Sequence, residues 1–207
     1  EIREAILKAA EIFNNTGRLS FAFSNHDVPR VATRQLKALG VSVKDSDRMQ
    51  ILLLKLQISI IGSSCIYQGE ELGLEDVTDI PKEKMQDPWG IEFAPTFLGR
   101  DTCRTPMVWN KKLPNGGFSR ANKTWLPIAN KHLNRAAIDS ASDPKSIYNE
   151  LSKFLKWRKK QPAMMRANCM LNITGDHKEI SFERQSDNQT LRCNFDFDTL
   201  TASFQEI

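Results

Sequence analysis

The chain has 207 residues, 40% hydrophobic and 26% charged, which is enough for one sizeable core and a small second domain. Twenty-nine Lys and Arg against 25 Asp and Glu leave a net charge of +4, too slight and too evenly scattered to indicate a nucleic-acid binder. No apolar run approaches the roughly 20 residues of a membrane span. The four cysteines, Cys65, Cys103, Cys169 and Cys193, lack CxxC spacing and read as buried free thiols, neither a zinc site nor a disulfide framework. With no signal peptide at the start, the cytoplasm is the default compartment. The chain opens on Glu1 and goes straight into a helix pattern, so sequence upstream of it is expected.

Ile2, Ala5, Ile6, Ala9, Ile12 and Phe13 recur at the spacing of one helix face, and Asn14-Asn15-Thr16-Gly17 supplies the stop. Leu19 to Phe23 is short and apolar enough for a buried strand, and Val31 to Leu39 has room for a helical turn or two. Asp45-Ser46 then precedes a strong helix from about Asp47 to Ile60, and a second short strand, Ser63 to Tyr67, runs into QGEELG. Helix, strand, helix, strand, with short apolar strands, is the pattern of parallel strands joined by crossover helices.

From about Glu75 to Asn134 Pro, Gly, Trp and Asn are frequent and no helix period persists. So long an irregular stretch in a compact protein is usually functional. Pro144 to Gln161 reads as a helix with Ile147, Leu151, Phe154, Leu155 and Trp157 near one face, closed by Pro162; its basic end, Lys156 to Lys160, suits the helix dipole and solvent. Alternating runs at Ile180 to Arg184 and Thr190 to Phe197, with Gly175-Asp176 and Ser186-Asp187-Asn188 as turns, read as antiparallel hairpins of a small β module.

In a parallel α/β protein the C-terminal ends of the strands carry the site. Both strands here end in polar clusters: Asn25, His26 and Asp27 in FSNHDVPR, and Tyr67, Gln68, Glu70 and Glu71 in YQGEELG. On their own, His26 and Asp27 also fit a cap at a strand end. GRDTCRTPMVW, Gly99 to Trp109, sets two arginines four apart in a loop, followed by NGGFS and TWLPI. Adjacent residues of an extended segment face opposite sides, so at most one of Glu70 and Glu71 faces a site. Trp89, Trp109 and Trp125 are candidates for stacking on a ligand or for pinning loops. His132 and His177 have no acidic clusters around them, so no metal site is expected.

Taken in order, FSNHDVPR, YQGEELG, GRDTCRTPMVW and WLP resemble the α-glucosidase branch of glycoside hydrolase family thirteen, the α-amylase superfamily. The resemblance covers essentially the whole chain. It implies an α/β fold: the C-terminal part of a (β/α)8 TIM barrel, strands 7–8 and helices 6–8, over residues 1–163. A small antiparallel all-β domain over 164–207 follows, short for the family. It also implies retaining hydrolysis of terminal α-glucosidic bonds in short oligosaccharides or disaccharides, with no cofactor.

The family's nucleophile and acid/base residue lie on the fourth and fifth strands, outside this chain, so the isolated chain is expected to be catalytically incomplete and to need the N-terminal part of the barrel as its partner. Asp27 matches the family's transition-state stabiliser, and His26 a donor to a hydroxyl of the same sugar. Arg100, or else Arg104, would hold the non-reducing end of the glucose, with a loop-to-barrel salt bridge as the alternative role of either. Arg30 is a weaker candidate for the leaving-group subsite, and Glu71 stands among the binding residues. Two relatives by fold stay open: a glucosyl-transferring or sucrose-isomerising enzyme, and the non-catalytic ectodomain of amino-acid transporter heavy chains, against which intact NHD and GRD segments argue. Val28 stands where many oligo-1,6-glucosidases carry a polar glutamine, which weakens the case for an isomaltose preference.

Overall fold

The computed structural model describes residues 2–15, 19–38, 40–166 and 169–207. Its helices are α1 (Ile2–Asn15), α2 (Val31–Ala38), α3 (Ser46–Ser59), α4 (Pro88–Phe93), α5 (Asn130–Leu133), α6 (Ala137–Ser142), α7 (Ile147–Arg158) and α8 (Pro162–Met165). Its strands are β1 (Ser20–Phe21), β2 (Ser63–Ser64), β3 (Cys169–Gly175), β4 (Glu179–Ser186), β5 (Gln189–Asp196) and β6 (Thr201–Glu206). Two compact units divide the chain, one of residues 1–22, 51–65 and 151–207, the other of 23–50 and 66–150.

In the first unit β1 and β2 run parallel, Ser20 opposite Ser63 and Phe21 opposite Ser64. Both strands are shorter than their apolar runs suggest. The backbone pairing is nevertheless clean, with Ser63 N donating to Leu19 O and Cys65 N to Phe21 O, both at 2.8 Å. The buried Gln57 amide on α3 donates to Phe21 O at 3.2 Å and Cys65 O at 2.9 Å, so one side chain ties the two strand ends together.

The antiparallel sheet of this unit has the order β3-β4-β5-β6, a meander as the alternating pattern predicts. Alternation puts Ile180, Phe182, Leu191, Cys193 and Phe195 on the buried face, each at most 3% exposed. Phe182 stacks on Phe195 at 5.6 Å between centroids, and Phe204 closes the cluster against Phe154 and Trp157 of α7 at 5.1 and 4.9 Å. α7 ends at Arg158, short of the expected stop at Pro162, and Pro162 opens α8, where a residue without an N–H is well placed at the first helical position. Arg184 is 3% exposed and donates to Ser59 O and Met164 O; desolvation pushes its guanidinium down to about 10. The unit containing the sheet also takes in α1, the parallel pair and residues 151–158 of α7.

In the second unit the long irregular stretch is held by its own small cores and by side chains that replace regular pairing. Val77, Ile80 and Met85 are buried together, with Ala94, Leu98 and Ala129 against them; Leu72, Leu74 and Met107 form another cluster with Ala137. Arg135 makes a fork to Asp47, 2.7 and 3.2 Å, and also donates to Leu72 O. His132, 1% exposed, donates from Nε2 to Glu75 O at 2.8 Å, and burial pushes its imidazole down to about 4. A chain segment that must satisfy its own backbone without a ladder needs such side chains, and here they come from widely separated positions.

Candidate active site

FSNHDVPR folds as a tight turn. Asp27 N donates to the Asn25 side-chain carbonyl at 2.7 Å, and Asn25 and Val28 form an isolated bridge. This local hydrogen bond, which Asn makes readily, turns His26 and Asp27 outward. Their side chains are 70% and 50% exposed, with His26 Nε2 at 3.4 Å from Asp27 Oδ2.

GRDTCRTPMVW brings both of its arginines to this turn. Arg104 donates from Nη2 to Asp27 Oδ1 at 2.8 Å and from Nε to His26 O at 2.6 Å. Arg100 reaches Asp27 Oδ1 from Nη1 at 3.3 Å. One carboxylate therefore gathers two guanidinium groups and an imidazole, all from residues that the sequence singled out. Arg100 is fixed from behind by Asp87, whose side chain is fully buried: Nε donates to Oδ2 at 3.0 Å and Nη2 to Oδ1 at 2.9 Å. The hydrogen-bonded Arg100 guanidinium holds the Asp87 carboxyl far below the usual carboxylate range, and Asp87 with Asp27 raises that guanidinium in turn.

The backbone here needs glycine. Gly99 has φ +66°, and a Cβ on it would stand 2.6 Å from Gly90 N and 2.7 Å from Asp87 Oδ2. In QGEELG, Gly69 has φ +87°, and a Cβ there would meet Leu74 at 2.7 Å and the Arg30 guanidinium at 3.0 Å. The turn between Gly69 and Gly73 is a 3-10 turn, Glu70–Leu72, and it separates the two glutamates. Glu70, 1% exposed, accepts from Ser24 Oγ and Tyr67 N. Glu71 accepts from Gly69 N at 2.8 Å and borders a cavity of about 350 Å³ together with Gln68, Arg104, Trp109, Phe118 and Trp125. Burial raises the Glu71 carboxyl above its ordinary value.

Arg30 has a different place. It is 0% exposed, its Nη2 donates to Cys103 O at 3.0 Å, its Nη1 to Gln68 O, and its guanidinium lies 5.0 Å from the centre of the Tyr67 ring. It braces loop backbone and presents nothing to solvent, a setting that suits a scaffold role as against the leaving-group subsite for which it is a weaker candidate. Trp89 faces Arg100, its ring centre 4.9 Å from the guanidinium carbon. Asp87 itself was missed by sequence reasoning. Its one local signal is Asp-Pro at a helix start: the Asp87 side chain accepts from Trp89 N, and Pro88 opens α4. The arginine thirteen residues later gives no local sign of being its partner.

The α-amylase catalytic-domain family model matches residues 1–167, and the chain belongs to that family. Its relatives include a probable α-glucosidase of Rhizobium meliloti (strain 1021), 42% identical over 187 residues, covering 90% of this chain and 32% of that protein. An oligo-1,6-glucosidase, IMA3 of Saccharomyces cerevisiae (strain ATCC 204508 / S288c), is 29% identical over 99% of this chain and 39% of its own length. Among solved structures, the α-glucosyl transfer enzyme XgtA superposes with a TM-score of 0.82 at 35% identity, over 95% of this chain and 35% of that one. The chain spans about a third of the length of the curated relatives it matches. Among the described residues no helix is long and apolar enough to cross a membrane.

Proposed function

We propose that the chain is the C-terminal portion of a retaining α-glucosidase acting on terminal α-glucosidic bonds of short oligosaccharides or disaccharides. In this reading β1 and β2 are the seventh and eighth strands of the (β/α)8 barrel, residues 1–163 complete its end, and 164–207 are the β domain. The partner is the N-terminal part of the barrel, which supplies the nucleophile and the acid/base carboxyl. The observation that carries the reading is the convergence of Asp27, His26, Arg100 and Arg104 at one exposed turn.

Each group has a task that fits its chemistry. Asp27 accepts hydrogen bonds from glucose hydroxyls and faces the positive charge that develops on the sugar ring, an interaction stronger in the transition state than in the ground state. His26 donates to a hydroxyl of the same ring. Arg100, with Nε and one Nη2 hydrogen committed to Asp87, turns its Nη1 edge to the site; a planar fork suits vicinal hydroxyls. Arg104 ties the Asp27 carboxylate to the His26 backbone, and Glu71 offers a carboxyl at the edge of the aromatic cavity.

The first sugar released distinguishes this reaction: proton NMR of fresh digests of p-nitrophenyl α-glucoside by the full gene product should show α-glucose before mutarotation. β-Glucose first would rule out the retaining mechanism. The 35% identity to a glucosyl transfer enzyme supports a second reading, transfer to an acceptor alcohol in preference to water. A glucoside product exceeding free glucose when an acceptor is present at millimolar concentration would favour it.

A further inference from the structure

The Arg100 side chain is held on two sides before any substrate arrives. Along one edge, the buried Asp87 carboxylate takes Nε at 3.0 Å and Nη2 at 2.9 Å, and also accepts from Arg100 N at 2.6 Å. Over one face lies the Trp89 ring, 4.9 Å from the guanidinium carbon. What remains is the Nη1 edge, and that is the edge directed at Asp27 Oδ1.

Asp87 is itself placed by its surroundings. Asp101, 1% exposed, accepts from Gln86 N at 2.5 Å and Asp87 N at 2.9 Å, so the residue following Arg100 fixes the backbone on which Asp87 stands. Gly99 keeps the space beside Asp87 Oδ2 free. Two segments, 86–90 and 99–101, thus lock together around a single ion pair. A loop salt bridge meant only to hold the loop would have no need to leave one guanidinium edge aimed at another carboxylate in an exposed turn.

We propose that Asp87 is a positioning residue for the glucoside site, forming with Trp89 a clamp that aims the Nη1 edge of Arg100 at Asp27 and at the sugar between them. Asp87 touches no substrate; it acts through Arg100. A bidentate charge-assisted pair fixes the direction of the fork as well as its position, and an ordered donor avoids reorganisation during reaction. The inference rests on the glucosidase reading, because it needs a sugar at Asp27.

The test is a double-mutant cycle in the full gene product, with p-nitrophenyl α-glucoside as substrate. Asp87→Asn keeps the shape and the acceptor for Arg100 N but loses the charged fork. It should lower kcat/KM about 10- to 100-fold, while in an Arg100→Ala background it should cost less than about twofold. Trp89→Ala, at a residue 54% exposed, keeps the buried pair and the fold; it should lower kcat/KM about 3- to 10-fold, again only when Arg100 is present. Asp87→Glu, which keeps charge but displaces the fork, should not restore wild-type kcat/KM. Equal losses with and without Arg100, from Asp87→Asn or, should that variant not fold, from Trp89→Ala, would overturn the proposal, as would full activity of either single variant. A folded but inactive wild-type protein would instead refute the glucosidase reading, and the clamp proposal would fall with it.

Discussion

Replacing Arg30 by methionine separates a scaffold role from a ligand role. The side chain is 0% exposed, and its guanidinium satisfies the carbonyls of Gln68 and Cys103. Leaving the Gln68 carbonyl without a donor costs about 1–3 kcal/mol, whereas Cys103 O keeps the Tyr67 hydroxyl at 3.1 Å. Removing a desolvated charge offsets part of that, since burial already lowers the Arg30 pKa and the nearby Tyr67, Asp76 and Glu70 only partly compensate. Methionine fills most of the volume, so a net loss of about 1.5 kcal/mol is expected. With a urea m-value of about 2 kcal/mol/M the midpoint should fall by roughly 0.7 M. Tryptophan emission reports the transition from Trp89, Trp109 and Trp125 in the same unit. Below the transition, KM for a glucoside should stay within about twofold of wild type. An unchanged midpoint together with a tenfold or greater rise in KM would refute the scaffold assignment.

Other consequences concern pH and thiol chemistry. His132 is buried with its imidazole pushed down to about 4, so the unfolded chain binds the extra proton between that value and the ordinary one of about 6.5. Its contribution is fully present above about pH 6.5 and is lost as pH falls toward 4, up to roughly 3 kcal/mol; His132→Gln should flatten the urea midpoint across that window. Cys103 and Cys193, pushed up to about 11 and about 12 by burial, should stay silent to a thiol reagent at pH 8 until the protein unfolds. Rapid labelling of either in the native state would contradict their packing.

Periodicity made α1, α7 and the β4-β5 hairpin legible in the sequence, because each buries one face and repeats at the period of its own geometry, whereas α3 is buried nearly all round and was marked by its Asp45-Ser46 start. Strands β1 and β2 were visible as apolar runs, but their extent was not: only two residues of each enter the ladder, and the pairing is completed by Gln57, whose neutral amide gives no pattern. Of the predicted helix stop at Asn14 to Gly17, Asn14 and Asn15 belong to α1, and Thr16 and Gly17 lie outside the described residues. The site was legible where neighbours in sequence are neighbours in space, as in His26-Asp27, and where a motif already grouped two residues, as with Arg100 and Arg104. Partnership across a long separation was not. Nothing near Asp87 marks it as the anchor of Arg100, and nothing in VPR distinguishes an arginine that binds solvent-side ligands from one that braces two buried carbonyls.

The most direct measurement is glucose release from maltose and isomaltose by the full gene product and its Asp27→Asn variant. Asparagine preserves shape and hydrogen bonding but removes the charge placed opposite the developing cation. Turnover of at least one substrate by the wild type, and its loss by about 10²- to 10³-fold in a variant of unchanged urea midpoint, is the expected result. A folded wild type that releases no glucose from either, or an Asp27→Asn variant within a few-fold of wild type, would contradict the account.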